Sequence, residues 1–237
     1  MDTLRKLLIG FAVSMIIVLP VFGRETSKID FQADTFGQES KAFRSIIGIW
    51  HIDKDGPKQV YAVDGRKWEK GKLSQGAGDK AGELYGKKGG EFIRNIETYG
   101  EFPLSVYKDI DNFNNVIISV SFNAISGKED QAAGIAFNIR ENGTYLAVRA
   151  NALENNLVLF SFAKGKRSSL QWIENVPPPS GGWHTLKVVI KGSKIEGYID
   201  DKKYIDYTYK ENISGRIGLW SKADSYVYFD SFVAQPM

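Results

Sequence analysis

From residue 116 onward the chain alternates apolar and polar residues in short runs, each closed by turn residues, and this pattern constrains the fold more than any other feature. Val116, Ile118, Val120 and Phe122 fall on one side of a strand, with Ile117, Ser119, Ser121 and Asn123 on the other. In the segment TYLAVRAN, Leu146, Val148 and Ala150 share one face, and Tyr145, Ala147, Arg149 and Asn151 share the opposite one. Further runs span 156–163, 170–176, 183–191, 194–200, 202–207, 215–220 and 226–233. They are separated by Lys164-Gly165-Lys166, the PPPSGG segment at 177–182, Lys191-Gly192-Ser193, Asp200-Asp201 and the loop 221–225. Short strands at this spacing with such punctuation predict an all-β, two-sheet antiparallel sandwich with a jelly-roll path, not βαβ units. An Arg and an Asn beside a Tyr on one strand face suit a wet, concave sheet surface. The alternative is that Arg149 pairs with a nearby carboxylate such as Glu154 and only holds the next loop.

The first half of the chain is less regular. Arg5 and Lys6 precede an apolar run at 7–19, Pro20 follows, and small Gly23 precedes polar Arg24-Glu25-Thr26-Ser27. This predicts a signal peptide over 1–23, cut after Gly23, and a single domain over 24–237 in the periplasm or outside the cell. An uncleaved anchor is the rival, although the run is short for a span. With 0 Cys there is no lipid attachment site, disulfide or thiol chemistry. The net charge of +3 is small and scattered, without a basic block, so nucleic acid is not an expected partner. Residues 45–52 read as one strand closed by a turn at 53–57, with Trp50 capping the core. The Gly- and Lys-rich stretch 71–90 lacks phosphate-loop spacing and reads as a long surface loop. Residues 91–99 fit a short helix or a strand.

The segments SGKEDQAAG, YLAVRANALENNL, GKR, GGWHTLKV and SGRIGLWSKADSYVYFD, spread over residues 102–233, resemble a family of exported bacterial jelly-roll proteins. That family belongs to the concanavalin A-like lectin/glucanase (LamG-like) group and is related to 3-keto-disaccharide hydrolase and glycoside hydrolase-like domains. The resemblance implies a jelly roll and a carbohydrate ligand. It also singles out Glu129, Asp130, Gln131, Arg149, Asn151, Glu154, Asn155, Lys222 and Asp224 as the distinctive polar positions of the family's motifs.

A glycosidase of ordinary mechanism needs two carboxylates flanking the bond, roughly 5 to 10 Å apart. The E-x-D-x-x-E strand motif of the retaining glucanases is absent, and Glu196 with Asp200-Asp201 has the wrong spacing and sits at a turn. Glu129, Asp130 and Glu154 remain as candidate acids or bases. Arg149, Asn151, Asn155, Gln131, Tyr145, Lys222 and Asp224 are candidate ligand-binding residues, since amides, carboxylates and Arg match sugar hydroxyls. Among the aromatics, Trp172, Trp183, Trp220, Trp68 and Tyr145 are candidate stacking platforms. The same polar groups also suit a loop-tying network or a structural calcium; no cofactor is otherwise implied. The 2 histidines, His51 and His184, exclude a three-His metal site, and no G-x-S-x-G is present. Three functions stay open: an exported carbohydrate-binding module, a saccharide hydrolase or lyase, and a structural envelope domain that binds another protein.

Overall fold

The computed structural model describes residues 25–67, 72–176 and 180–237. The leader segment, Trp68 and the three prolines at 177–179 lie outside the described residues. The chain forms strands β1 (Ser27–Ile29), β2 (Phe43–Ile47), β3 (Trp50–Asp55) and β4 (Lys58–Asp64), then helices α1 (Ala77–Tyr85) and α2 (Gly89–Ile96). Next come β5 (Leu104–Tyr107), β6 (Asn115–Ser126), β7 (Ala132–Ile139), β8 (Tyr145–Asn151), β9 (Asn156–Ala163) and β10 (Lys166–Glu174). The chain ends with β11 (Trp183–Lys191), β12 (Lys194–Ile199), β13 (Lys202–Thr208), β14 (Arg216–Ser221) and β15 (Tyr226–Pro236).

Two sheets result, as the alternation predicts. Sheet A has the order β13-β12-β11-β6-β15-β4-β3, with β1 added against β15; sheet B has the order β10-β9-β8-β7-β14-β5-β2. Their inner faces meet in one core that includes Val120, Phe122, Ile135, Phe137, Leu146, Val148, Leu159, Leu186, Val188 and Phe229. Each such side chain stabilises the sandwich by about 1.5–3 kcal/mol relative to exposure. Trp50 belongs to this core and donates from Nε1 to the Ile47 carbonyl at 2.8 Å.

The structure departs from the sequence reading in the first half. Residues 45–52 are not one strand: β2 pairs with β5 in sheet B, whereas β3 pairs with β4 in sheet A. The chain changes sheet at Gly48, whose φ of 91° and close approach to Pro103 (2.8 Å from a built Cβ) suit only glycine. The stretch 71–90 is not a plain loop either. Ala77, Ala81 and Leu84 of α1 and Phe92 and Ile96 of α2 recur at helical spacing and are buried. Ala81, Leu84, Phe92 and Ile96 pack with Ile46, Ile47, Leu104, Val106, Ala136 and Ile139 against the outer face of sheet B. Glycines on the exposed side and small alanines on the buried side hid this amphipathic period in the sequence.

That helical cover corrects a second expectation. The outer face of β8 is not a wet surface, because every β8 residue is buried. Tyr145 is 1% exposed, stacked on Phe162 at 4.1 Å and accepting from Trp220 Nε1 at 3.3 Å, with the Tyr99 ring perpendicular to its own. It is therefore a packing residue and not a stacking platform for ligand.

Candidate functional site

Arg149 and Asn151 project from the end of β8, where sheet B meets three loops: 127–131 before β7, 152–155 before β9, and 222–225 before β15. The first loop is fixed by Asp224, whose carboxylate accepts the backbone N–H groups of Lys128 (2.6 Å), Glu129 (3.1 Å) and Asp130 (3.0 Å). Burial opposes ionisation of Asp224, but these three bonds prevail and hold its carboxyl below the usual range. Gly127 permits the turn, since a Cβ there would lie 1.8 Å from the Asp130 carbonyl oxygen. Ser225 Oγ accepts from Ala132 N at 3.0 Å and donates to the Lys222 carbonyl at 2.6 Å, tying the third loop to the start of β7.

Held this way, Asp130 is buried. Its Oδ1 accepts from Asn151 Nδ2 at 2.8 Å and its Oδ2 lies 2.8 Å from Lys222 Nζ. Burial raises the Asp130 carboxyl above its ordinary value despite the Lys222 ammonium. Asn151 uses its own Oδ1 to accept from Gln131 N (3.2 Å) and Leu153 N (3.1 Å), pinning both neighbouring loops.

Arg149 is 2% exposed and donates from Nη1 to Glu154 Oε2 at 2.8 Å. Asn156 Nδ2 donates to the same oxygen at 3.0 Å. Burial works to raise the Glu154 carboxyl, but the bonds from Arg149 and Asn156 prevail and keep it low; its side chain is 37% exposed. The ion pair that the structural alternative required is thus present. Two buried atoms beside it, Arg149 Nε and Asn156 Oδ1, have no hydrogen-bonding partner in the protein. One is a donor and the other an acceptor, which is the complement of a hydroxyl group.

Aromatic rings border the cluster. The Arg149 guanidinium lies 5.4 Å from the Phe160 ring centroid and 5.9 Å from that of Trp172, which is 46% exposed. Arg167 sits 4.9 Å from both the Phe102 and the Phe160 rings, and Phe102 stacks on buried Trp220. Two clefts of about 520 and 720 Å³ lie elsewhere, beside Glu39 and Lys80 and beside Arg140 and Tyr207; neither is lined by Arg149 or Glu154.

The side chains of Asp130, Gln131, Arg149, Asn151, Glu154, Lys222 and Asp224 therefore come together. Gln131 serves the loops, donating to the Gly127 carbonyl at 3.2 Å and accepting from Ser180. Glu129 is exposed and enters only through its backbone N–H, and exposed Asn155 forms the β8–β9 turn at φ 50°. Asn156 and Arg167 were not anticipated. Asn156 follows a turn whose phase is hidden by the αL residue, and Arg167 stands before a bulge between Ser169 and Gln171 that breaks the β10 alternation. Among the described residues, no three His, Cys, Asp or Glu side chains are grouped to hold a metal ion.

The family of the 3-keto-alpha-glucoside-1,2-lyase-like domain matches residues 49–233. The chain belongs to that family. No curated protein matches it. Among solved structures, the carbohydrate-binding module CBM66 from Bacillus subtilis superposes with a TM-score of 0.57 at 13% identity, covering 82% of this chain and 95% of the module. The GH43 protein BlXynB from Bacillus licheniformis gives 0.57 at 14% identity over 89% of this chain and 39% of that one. The Bacillus licheniformis β-glucanase gives 0.53 at 7% identity over 90% and 99%. At these identities the likeness is one of fold. The jelly-roll sandwich is shared with carbohydrate-binding modules and glycoside hydrolases.

Proposed function

We propose that the protein binds a saccharide over Arg149, Glu154, Asn156 and Trp172, and that its ligand class is the 3-keto glucoside named by its family. The observation that carries this reading is the pair of unpartnered buried atoms, Arg149 Nε and Asn156 Oδ1, beside a half-open carboxylate and an exposed indole. A sugar hydroxyl or ring ketone would satisfy the donor, a hydroxyl the acceptor, and the sugar's C–H face would cover Trp172.

The same groups favour an elimination as the second reading. A C3 ketone acidifies the C2 proton. Glu154 would remove it while Arg149 Nε–H holds the C3 oxygen as negative charge develops. The C1–O bond then breaks, its electron pair leaving on the glycosidic oxygen, which takes a proton from water, and a C1–C2 double bond remains. The low carboxyl pKa keeps Glu154 ionised at neutral pH for this role.

Calorimetric titration with a 3-keto glucoside and its parent glucoside, followed by product analysis, tests both readings. Saturable binding that weakens in Arg149→Lys supports the site, and release of the aglycone together with a C1–C2 unsaturated sugar, both lost in Glu154→Gln, establishes the lyase. Absence of binding to either sugar overturns the proposal. The leader-like start further leads us to propose a periplasmic or extracellular location, which cell fractionation and N-terminal sequencing of the mature protein will check.

A further inference from the structure

The cleft of about 720 Å³ has no part in the preceding reading, and its size suits a small organic ligand. The strand order creates it. β13 is the last strand of sheet A and β10 the last strand of sheet B, and the two edges approach each other on one side of the sandwich. The cleft opens between them, where the turn 140–144, the turn 163–165 and the segment 207–211 surround a gap in the core. Ser161 shares the inner side of β9 with Leu157 and Leu159, and Ser168 is its register partner on β10. Two hydroxyls therefore stand where a sealed sandwich would bury apolar groups. Tyr207 faces the gap from sheet A, since its register partner Ile195 lies in the core. None of these three hydroxyls has a hydrogen-bonding partner among the described residues.

Charge narrows the ligand class. Arg140, Lys164 and Lys210 line the cleft against one carboxylate, Glu211. The Lys88–Glu141 pair on the neighbouring turn cancels itself. Arg140 is already aimed: its Nε donates to Asn138 Oδ1 at 3.0 Å, while Nη1 stays 3.9 Å from Glu211 Oε2, beyond a hydrogen bond. Asn138 is fixed in turn by its αL backbone at φ 54°, and the same Oδ1 accepts from Ser214 N at 3.4 Å. Neither lysine ammonium has a carboxylate partner among the described residues, and Lys210 lies 5.9 Å from the Tyr209 ring centroid. A carboxylate would take the free edge of the guanidinium. Leu170, Tyr207 and Tyr209, packed half-buried against the core, offer a flat ring its apolar wall. A neutral sugar would use the hydroxyls but leave the cations unanswered.

We propose that this cleft is a binding site for an aromatic carboxylate, with Arg140 holding the carboxylate and the two tyrosines the ring. It lies at the opposite end of β8 from Arg149 and does not depend on that site. The test is a calorimetric titration of the full chain with 2-naphthoate, with 2-naphthamide as the uncharged ring and with acetate as the charge alone. Naphthoate should bind saturably, and naphthamide and acetate at least tenfold more weakly. Arg140→Gln should weaken naphthoate about tenfold, whereas Glu211→Gln, which removes the competing carboxylate, should tighten it about twofold. Both side chains sit at the rim, so the fold should survive either change, which circular dichroism will verify. Arg149→Lys should leave naphthoate binding unchanged while weakening 3-keto glucoside binding, so the two proposals fail separately. No naphthoate binding, equal binding of naphthamide or acetate, or naphthoate binding that follows Arg149→Lys and ignores Arg140→Gln would each overturn it.

Discussion

The outer faces of the two sheets are built from strands of the same kind, yet one is closed and the other open. Over sheet B, α1 and α2 lay Ala81, Leu84, Phe92 and Ile96 on the strands, so the face becomes a second apolar core, with the Arg149 cluster at one end and buried Arg216 bonded to the Leu84 carbonyl at the other. Over sheet A nothing equivalent packs among the described residues, and the face keeps Asp53, Tyr226, Tyr228 and Trp183 in a hydrogen-bonded, partly solvated surface. A jelly roll offers two outer faces, and a short helical pair between β4 and β5 decides which one is sealed. The binding that we propose on sheet B is thereby confined to the loop end around Arg149.

Removing the cover should have the largest effect. Phe92→Ala, at a fully buried position, should cost about 3–5 kcal/mol by chemical denaturation. A loss near zero would show that the helices merely rest on sheet B. Next, Asp224→Ala strands three backbone N–H groups and should cost about 2–3 kcal/mol while weakening ligand binding at Arg149. It should spare naphthoate binding in the cleft beside Arg140; loss at both sites would mean the two ends of β8 are coupled. Arg149→Met exchanges an ion pair with a half-open partner for an apolar chain, so the expected loss is smaller, about 1–2 kcal/mol, measured the same way.

The pH dependence sharpens the contrast further. The Asp224 and Glu154 carboxyls at the loop end of sheet B, and Asp53 and Asp64 on the outer face of sheet A, all lie below their ordinary values in the folded protein. Their contribution is complete above the unfolded values of 3.8 for Asp and 4.5 for Glu and is lost as pH falls through the lower folded ones. Asp130 has the opposite sign: its raised carboxyl favours folding below 3.8 and loses that effect as pH rises through its folded value. Urea midpoints should therefore drop on acidification below about pH 4.5, and Asp224→Asn should flatten the drop. An unchanged slope would remove Asp224 from the acid response. The smallest change is expected for Tyr228→Phe, under about 1 kcal/mol, because the hydroxyl is partly solvated.

The strand alternation carried the sandwich directly, because a period of two survives in every β run that packs one face inward. The convergence of Asp130, Arg149, Asn151, Glu154 and Lys222 was legible only in part, since loops meet by topology and their spacing in sequence does not encode it. The helices were hidden because Gly78, Gly82 and Gly86 lower local helix propensity, while packing on sheet B supplies the stability that propensity withholds. The cleft beside Arg140 was hidden for a different reason. Its members come from β9, β10, β13 and the turn after β7, and only register and strand order bring Ser161, Ser168 and Tyr207 to one opening. Tyr145 looked like a ligand platform because alternation reports which face a residue takes, not what covers that face.

The strand order has a consequence for how the molecule comes into being. β14 lies between β7 and β5, and β15 between β6 and β4, so the last two strands of the chain are interior members of the two sheets. A chain growing from its N-terminus holds β2 and β5 on one side of a gap and β7 to β10 on the other, and the same division splits sheet A. Neither sheet can close until residues 216–236 have been made, so both sheets stay divided until that segment is available. For a protein that we propose to be exported, such a delay keeps the polypeptide threadable for as long as its passage requires.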